Sequence, residues 1–126
     1  MSVAAALLPE FDQEMATTRR LLERVPTARG TWTPHPKSFA LGHLAQLLSR
    51  MPGWITNALT ATELDLAGYP GYSFEPTETL LAEFDRNVRE ARAALAAAQD
   101  ADFQASWSLK HRERVLFTAR RGEVVR

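Results

Sequence analysis

The chain contains no cysteine and few residues of the kinds that most often mark an active site. Without cysteine there is no thiolate nucleophile, no disulfide and no cysteine-ligated metal. The three histidines and six glycines are scattered, and the glycines form no phosphate-binding loop. No uncharged apolar run approaches the roughly 18 residues that a membrane span needs, and the N-terminal residues include no basic leader. We therefore expect a cytoplasmic protein without a membrane partner.

The composition of the chain is that of an ordinary globular protein. Apolar residues make up 45% and charged residues 24% of the sequence, which is typical of a soluble domain. The 126 residues contain no internal repeat and no linker, and a chain of this length can bury one core. The sequence therefore predicts a single domain over residues 1–126.

The charges balance in number but not in position. Basic and acidic residues count 15 each, so the formal net charge is zero. The segment from Lys110 onward has two acidic residues and six basic ones, namely Lys110, Arg112, Arg114, Arg120, Arg121 and Arg126. Such a segment can contact nucleic acid. No stripe of aromatic residues accompanies it, so we interpret it as a solvated rim and do not expect a nucleic-acid partner.

Apolar residues recur at alternating spacings of three and four in three segments, which is the pattern of helices that pack lengthwise. The first segment runs from Leu8 to Val25, the second from Leu41 to Thr62 and the third from Leu81 to Ala98. Three long amphipathic helices with short connections predict an antiparallel up-and-down bundle.

The stretch TWTPHPKSF, residues 31–39, is predicted to form a rigid loop before the second helix. Its alternating prolines hold the backbone extended. We expect Trp32 to be a buried staple at the end of the bundle and Ser38 to cap the second helix. Thr77 is the corresponding predicted cap of the third helix.

The C-terminal part is predicted to contain a short hairpin-like arm. Trp107 and Leu109, followed by Val115 and Phe117, alternate with polar residues across a charged turn. The chain then continues into RRGEVVR, which resembles the beginning of another helix.

The residues that could carry chemistry have no suitable neighbours. A metal site needs two or more converging ligands, and His43 has no histidine, aspartate or glutamate three or four positions away. Paired carboxylates occur only as neighbours in sequence, at Glu10 with Glu14 and at Glu63 with Asp65, which is typical of a solvated surface. No GxSxG turn exposes a serine. We therefore predict no catalytic, cofactor-binding or metal-ligating residue.

The three tryptophans, Trp32, Trp54 and Trp107, admit two interpretations. They could stack on a ligand, or they could anchor the core and the loops. We favour the second interpretation for all three.

Several stretches, taken in order and spacing, resemble the DinB-like superfamily, to which thiol-dependent transferases are related. They extend from about Leu7 to the last residue and read LLPEFDQEMATTRRLLERVP, WTPHPKS, LGHLAQLLSRMPGW, TELDLA, LLAEFDRNVREARAALA and the arm from WSL to VLFTARRGEVVR. The resemblance implies a four-helix bundle, often dimeric, with a three-histidine site for a divalent metal such as zinc or nickel.

The metal site implied by the resemblance does not carry over to these residues. Counted back from PGW, the first ligand falls on Leu47 and not on His43. The other two ligands belong to a fourth-helix motif like NHxxHHR, which would follow GEVVR. No cofactor is therefore expected for this chain. The predicted fold is all-α: an up-and-down antiparallel DinB-like bundle with most of its fourth helix missing, plus the hairpin-like arm.

Three functions remain open at this point. The first is a non-catalytic DinB-like protein of unknown specific activity. The second is a divalent-metal-dependent thiol transferase or hydrolase, completed by a longer product or by a partner chain. The third is a small nucleic-acid-binding or protein-binding adaptor that uses the basic C-terminal segment.

The second helix also predicts self-association. It is apolar on two adjacent flanks, from Leu41 and Leu59 across to Leu47 and Trp54, and uncovered apolar patches usually mark interfaces. We expect a homo-oligomer, most simply a two-fold dimer with Leu47 or Trp54 near the contact. The exception would be an arm that folds over the uncovered groove.

Overall fold

The computed structural model describes residues 2–126, and its three long helices lie close to the predicted segments. Helix α1 spans Val3–Glu23, α2 spans Leu41–Thr60 and α3 spans Thr77–Ala97. A short helix, α4, spans Arg121–Val125. The spacing of the apolar residues therefore predicted the positions of the three long helices correctly.

A three-stranded mixed sheet shows that the prediction of an all-α fold was wrong. Strand β1 (Glu63–Asp65) follows α2, and strands β2 (Ser106–His111) and β3 (Arg114–Arg120) form the predicted hairpin. The strand order is β1-β2-β3, with β1 parallel to β2 and β2 antiparallel to β3. The sequence does not predict β1, because three residues are too few to display a period of two. The fold is mixed α and β.

The first and third helices run in opposite directions, whereas the predicted up-and-down arrangement, in which successive helices alternate in direction, would make them parallel. Arg19 of α1 contacts Asp85 of α3 at 2.9 Å, and Asp12 contacts Arg92 at 2.9 Å. Residue numbers rise along α1 while those of their partners fall along α3. These two helices are therefore antiparallel.

The second and third helices run in the same direction, which contradicts the predicted up-and-down arrangement. Ala45 shares a buried cluster with Phe84, and Leu59 shares another with Leu95. Between them, the Asn87 side chain donates to the Ser49 carbonyl at 2.9 Å. Because the numbers rise together, α2 and α3 are parallel. A short turn cannot join parallel neighbours, so residues 61–76 form a crossover connection.

Two clusters of buried side chains hold α3 between α1 and α2. One cluster consists of Ala4, Phe11, Leu59, Ala91, Leu95 and Phe103. The other consists of Leu22, Ala45, Leu80 and Phe84. The helices α1 and α2 contact each other much less than either contacts α3. The core is therefore centred on α3, and on the side of the α1–α2 pair away from α3 the described residues place only the short α4, through Val125.

A buried amide attaches the crossover to α2. The side chain of Gln46, only 2% exposed, donates from Nε2 to the Ser73 carbonyl at 3.0 Å and accepts from the Ser73 amide at 3.1 Å. A buried amide left without partners costs about 1–3 kcal/mol. Pairing both ends of the Gln46 amide therefore fixes the position of the crossover on α2.

The loop before α2 differs from its prediction in two respects. Trp32 is 49% exposed, so it is not the buried staple. Ser38 does not cap α2, since the N-cap position is Ala40 and makes no side-chain cap. Backbone carbonyls of the loop satisfy the first amides of α2 instead: Leu41 donates to Trp32 at 2.9 Å and Gly42 to Gly30 at 2.8 Å. This pairing fixes the loop without requiring the Trp32 ring to enter the core.

Thr77 also has a different role from the predicted cap. It is the first residue of α3, and Pro76 occupies the cap position. Its hydroxyl donates to the Val25 carbonyl at 2.6 Å, so it joins the start of α3 to the end of α1.

Asp65 connects β1 to the turn of the hairpin. Its carboxylate accepts from the backbone amides of Arg112 at 2.8 Å and Ala67 at 2.9 Å. Arg112 has φ 56°, the left-handed conformation that suits a tight turn. The hydrogen bond from Arg112, and then that from Ala67, hold the pKa of Asp65 below its ordinary value.

Core packing around α3 can be tested with two phenylalanines. Phe84 is 1% exposed and Phe39 is 54% exposed. We expect Phe84→Ala to lower the free energy of unfolding by about 3–5 kcal/mol, because it opens a cavity in the core. Phe39→Ala should cost less than about 1.5 kcal/mol. Urea denaturation measures both, and equal losses would contradict this description of the core.

The contacts of Asp65 predict an acid-sensitive hairpin. A carboxylate whose folded-state pKa is lowered stabilises the fold above its unfolded pKa, about 3.9. That stabilisation is lost as the pH falls through the folded-state value. Asp65→Asn should therefore be less stable than the parent at pH 7, and the difference should shrink towards pH 2. Urea midpoints across this range test it, with Glu113→Gln in the same turn as the control; a difference independent of pH would argue against the assigned role.

Candidate functional site

His43 lies on α2 between two aromatic rings. Its ring centroid is 4.3 Å from that of Phe39, and 4.7 Å from that of Tyr72 with an interplanar angle of 22°. Phe39 belongs to the loop before α2 and Tyr72 to the crossover. The imidazole therefore packs these two connections together, and nothing in these contacts directs it towards a metal.

The other histidines and Leu47 do not complete a metal site with His43. Within residues 2–126, no group of three or more histidine, aspartate or glutamate side chains could hold a metal ion. His35 accepts a hydrogen bond from the Lys37 amide at 3.1 Å, and His111 is exposed at the end of β2. Leu47, where the resemblance expects the first ligand, is a half-buried apolar side chain. These residues do not fit a three-histidine zinc or nickel site.

The neighbouring carboxylates do not converge on a common point. Glu63 binds Lys110 at 3.0 Å and raises the pKa of that lysine, while Asp65 binds the hairpin turn. Glu10 and Glu14 are exposed on α1. Acid–base catalysis requires groups placed around one reacting atom, and these contacts do not provide that arrangement.

Several basic side chains of the C-terminal segment contact the chain itself. Lys110 pairs with Glu63. Arg120 donates to the Gln104 side chain at 3.2 Å, and Arg121 donates to the Ala61 carbonyl at 2.9 Å. These contacts hold the hairpin and α4 against the body of the protein. They leave fewer basic groups for a partner than the charge count suggests.

An uncovered apolar groove lies between α1 and α2, and we call it the α1–α2 groove. On the α2 side Leu44 and Met51 are each 46% exposed, and Leu47 is half-buried beside them. On the α1 side Leu21 is 57% exposed, two turns along the helix from Glu14. A cavity of 170 Å³ also lies between the two helices, and its lining includes Leu7 and Met15 of α1, Ile55 of α2 and Val125 of α4.

The hairpin covers a different side of α2, whereas α4 reaches the space between α1 and α2 through Val125. Trp107 of β2 is 4% exposed, and its indole N–H donates to the Asn57 side chain at 2.9 Å. The indole N–H of Trp54 donates to the Tyr69 hydroxyl at 2.6 Å. Trp54 is thus partly covered, whereas Leu44 and Met51 remain open. The sequence stripe contained Leu44 and Met51, but the sequence did not reveal that they would be the exposed members.

No protein-family model matches the chain, and neither a curated protein nor a solved structure matches it. The DinB-like resemblance is therefore supported by the quoted sequence stretches alone. Among the helices of residues 2–126, none has the length and apolar character needed to cross a membrane.

The dispersed histidines predict that the purified chain retains no stoichiometric zinc or nickel. Metal quantification after purification without a chelator is the measurement. As a positive control, Leu47→His places two histidines at i and i+4 on one face of α2 and should gain measurable affinity for nickel or zinc. About one metal ion per parent chain would refute the prediction and restore His43 as a ligand.

Proposed function

We propose that this chain is a non-catalytic DinB-like interaction protein that self-associates through the α1–α2 groove. The observation that supports this most directly is the exposure of three large apolar side chains on these two helices, Leu21 of α1 and Leu44 and Met51 of α2. Contiguous apolar patches of this kind usually mark interaction sites. We propose the cytoplasm as its compartment, on the basis of the sequence composition.

The charges beside the groove favour a second copy of the chain as the partner. Glu10, Glu14, Thr17, Leu21 and Arg24 follow one another at spacings of four and three and therefore share one face of α1. In a two-fold pairing of antiparallel α1 helices centred on Thr17, Glu10 of each chain lies opposite Arg24 of the other. A two-fold interface repeats such a contact twice.

These charged groups are available for contacts between chains. The ion pairs found within residues 2–126 involve neither Glu10 nor Glu14, and none involves Arg24. The apolar side chains would supply most of the association free energy, because exposed ion pairs contribute only about 0–1 kcal/mol each. The ion pairs would mainly select the antiparallel register.

A metal-dependent transferase or hydrolase receives no support from the contacts described above. The basic C-terminal segment likewise offers little support for a nucleic-acid adaptor, since Lys110, Arg120 and Arg121 make contacts within the chain. An interaction protein requires only the uncovered apolar surface and complementary charges.

Dimerisation can be tested with a matched pair of leucine substitutions. The parent chain should elute as a species of about 28 kDa, twice 14.1 kDa, in size-exclusion chromatography with light scattering. Leu44 and Leu116 are both 46% exposed, in the α1–α2 groove and on the hairpin respectively. Leu44→Glu should produce monomers, because it places a charge in the apolar contact, and Leu116→Glu should leave the dimer unchanged.

The register can be tested by exchanging charges. Arg24→Glu should weaken the dimer, because it places like charges opposite each other, and adding Glu10→Arg should restore it. A monomeric parent at about 100 µM, above the micromolar dissociation constants of many specific complexes, would reject the proposed function. Equal effects of Leu44→Glu and Leu116→Glu would reject the groove as the interface.

A further inference from the structure

A separate apolar cavity lies beside Trp54, between α2, the crossover and the sheet. Its volume is 270 Å³, and its lining includes Trp54, Leu64, Tyr69, Trp107, Leu109 and Phe117. We call it the aromatic cavity. We propose that it binds a small uncharged aromatic compound of about two rings. This site is independent of the proposed dimer, which uses the α1–α2 groove.

The side chains that line the aromatic cavity favour an uncharged ligand. The indole N–H of Trp54 is bound to the Tyr69 hydroxyl at 2.6 Å, and that of Trp107 is bound to the Asn57 side chain at 2.9 Å. The two indole N–H donors are thus occupied by the protein, and the cavity is lined mainly by carbon. A charged ligand would lose its hydration without gaining a counter-charge there.

Water is also a poor occupant of the aromatic cavity. An ordered water molecule typically has two to four polar partners, and the cavity offers few, because its lining is mainly carbon and the indole N–H groups of Trp54 and Trp107 are already bound. An apolar cavity of this size therefore favours an apolar guest.

The size and shape of the cavity indicate how many rings the ligand has. An apolar cavity of about 150 Å³ in another protein binds benzene, so 270 Å³ corresponds to a two-ring compound. The Trp107 and Phe117 rings are inclined at 59°, and the Trp54 and Tyr69 rings at 56°. Inclined rings offer both edges and faces to a planar guest.

The aromatic cavity has access to the surface. Leu66, at 36% exposure, and Phe117, at 47%, both belong to its lining. They mark an entrance between the crossover and β3. A ligand could therefore enter without unfolding the sheet.

The first test is a titration of the full chain with 2-naphthol, which is uncharged at neutral pH. Nuclear magnetic resonance should show saturable shifts of the indole N–H signals of Trp54 and Trp107, with a dissociation constant of about 0.1 mM or tighter. The signal of Trp32, which lies in the exposed loop before α2, should not move. The charged analogue 2-naphthalenesulfonate should bind at least about tenfold more weakly.

A matched pair of substitutions tests whether 2-naphthol occupies this cavity. Leu66→Phe fills the entrance and should weaken binding at least about tenfold. Leu116→Phe makes the same change at an exposed residue outside the lining and should leave affinity within about twofold. Because both leucines are partly exposed, both variants should fold, which their spectra can verify.

Three results would overturn the proposal. They are the absence of saturable binding up to about 1 mM, equal affinity for 2-naphthol and its sulfonate, and equal effects of the two substitutions. None of these binding results depends on whether the protein is a monomer or a dimer. Light scattering on the same samples therefore separates a failure of this inference from a failure of the proposed dimer.

Discussion

Because α2 and α3 are parallel, the chain must travel the length of a helix between them, and the remaining structure depends on this crossover. The 20 residues of α2 extend about 30 Å. Residues 61–76 return over this distance and supply β1, to which β2 pairs. The same segment supplies Tyr69, which bonds to Trp54, and Ser73, which Gln46 binds. The sheet and the aromatic cavity are therefore both consequences of the parallel arrangement.

The central position of α3 accounts for the surface that remains open. It buries Phe84 and Leu95 against the other long helices and thereby separates α1 from α2 on one side. The ion pair between Arg19 and Asp85 lowers the pKa of Asp85. Both side chains are more than one-third exposed, however, so the pair adds little stability compared with the buried apolar clusters.

Helix α2 contributes to two different surfaces because its apolar residues cover about half of its circumference. Leu44 and Met51 face the α1–α2 groove, whereas Trp54 faces the aromatic cavity. The two surfaces differ in chemistry: complementary charges flank the groove, and inclined aromatic rings line the cavity. The proposed self-association and the proposed ligand site therefore use different surfaces, and each can be tested without the other.

The sequence by itself determined the three long helices and the hairpin, because periods of 3.6 and 2 are local properties of the chain. It also separated His43 from any local metal partner. Only the tertiary structure decided the direction of α3, the pairing of β1 with β2, the exposure of Trp32 and the enclosure of the cavity by Trp54 and Trp107. The physical reason is that these features depend on which surfaces meet across long stretches of chain. A spacing pattern shows that Leu44 and Leu59 share an apolar stripe, but it cannot show that the core buries Leu59 while Leu44 stays exposed.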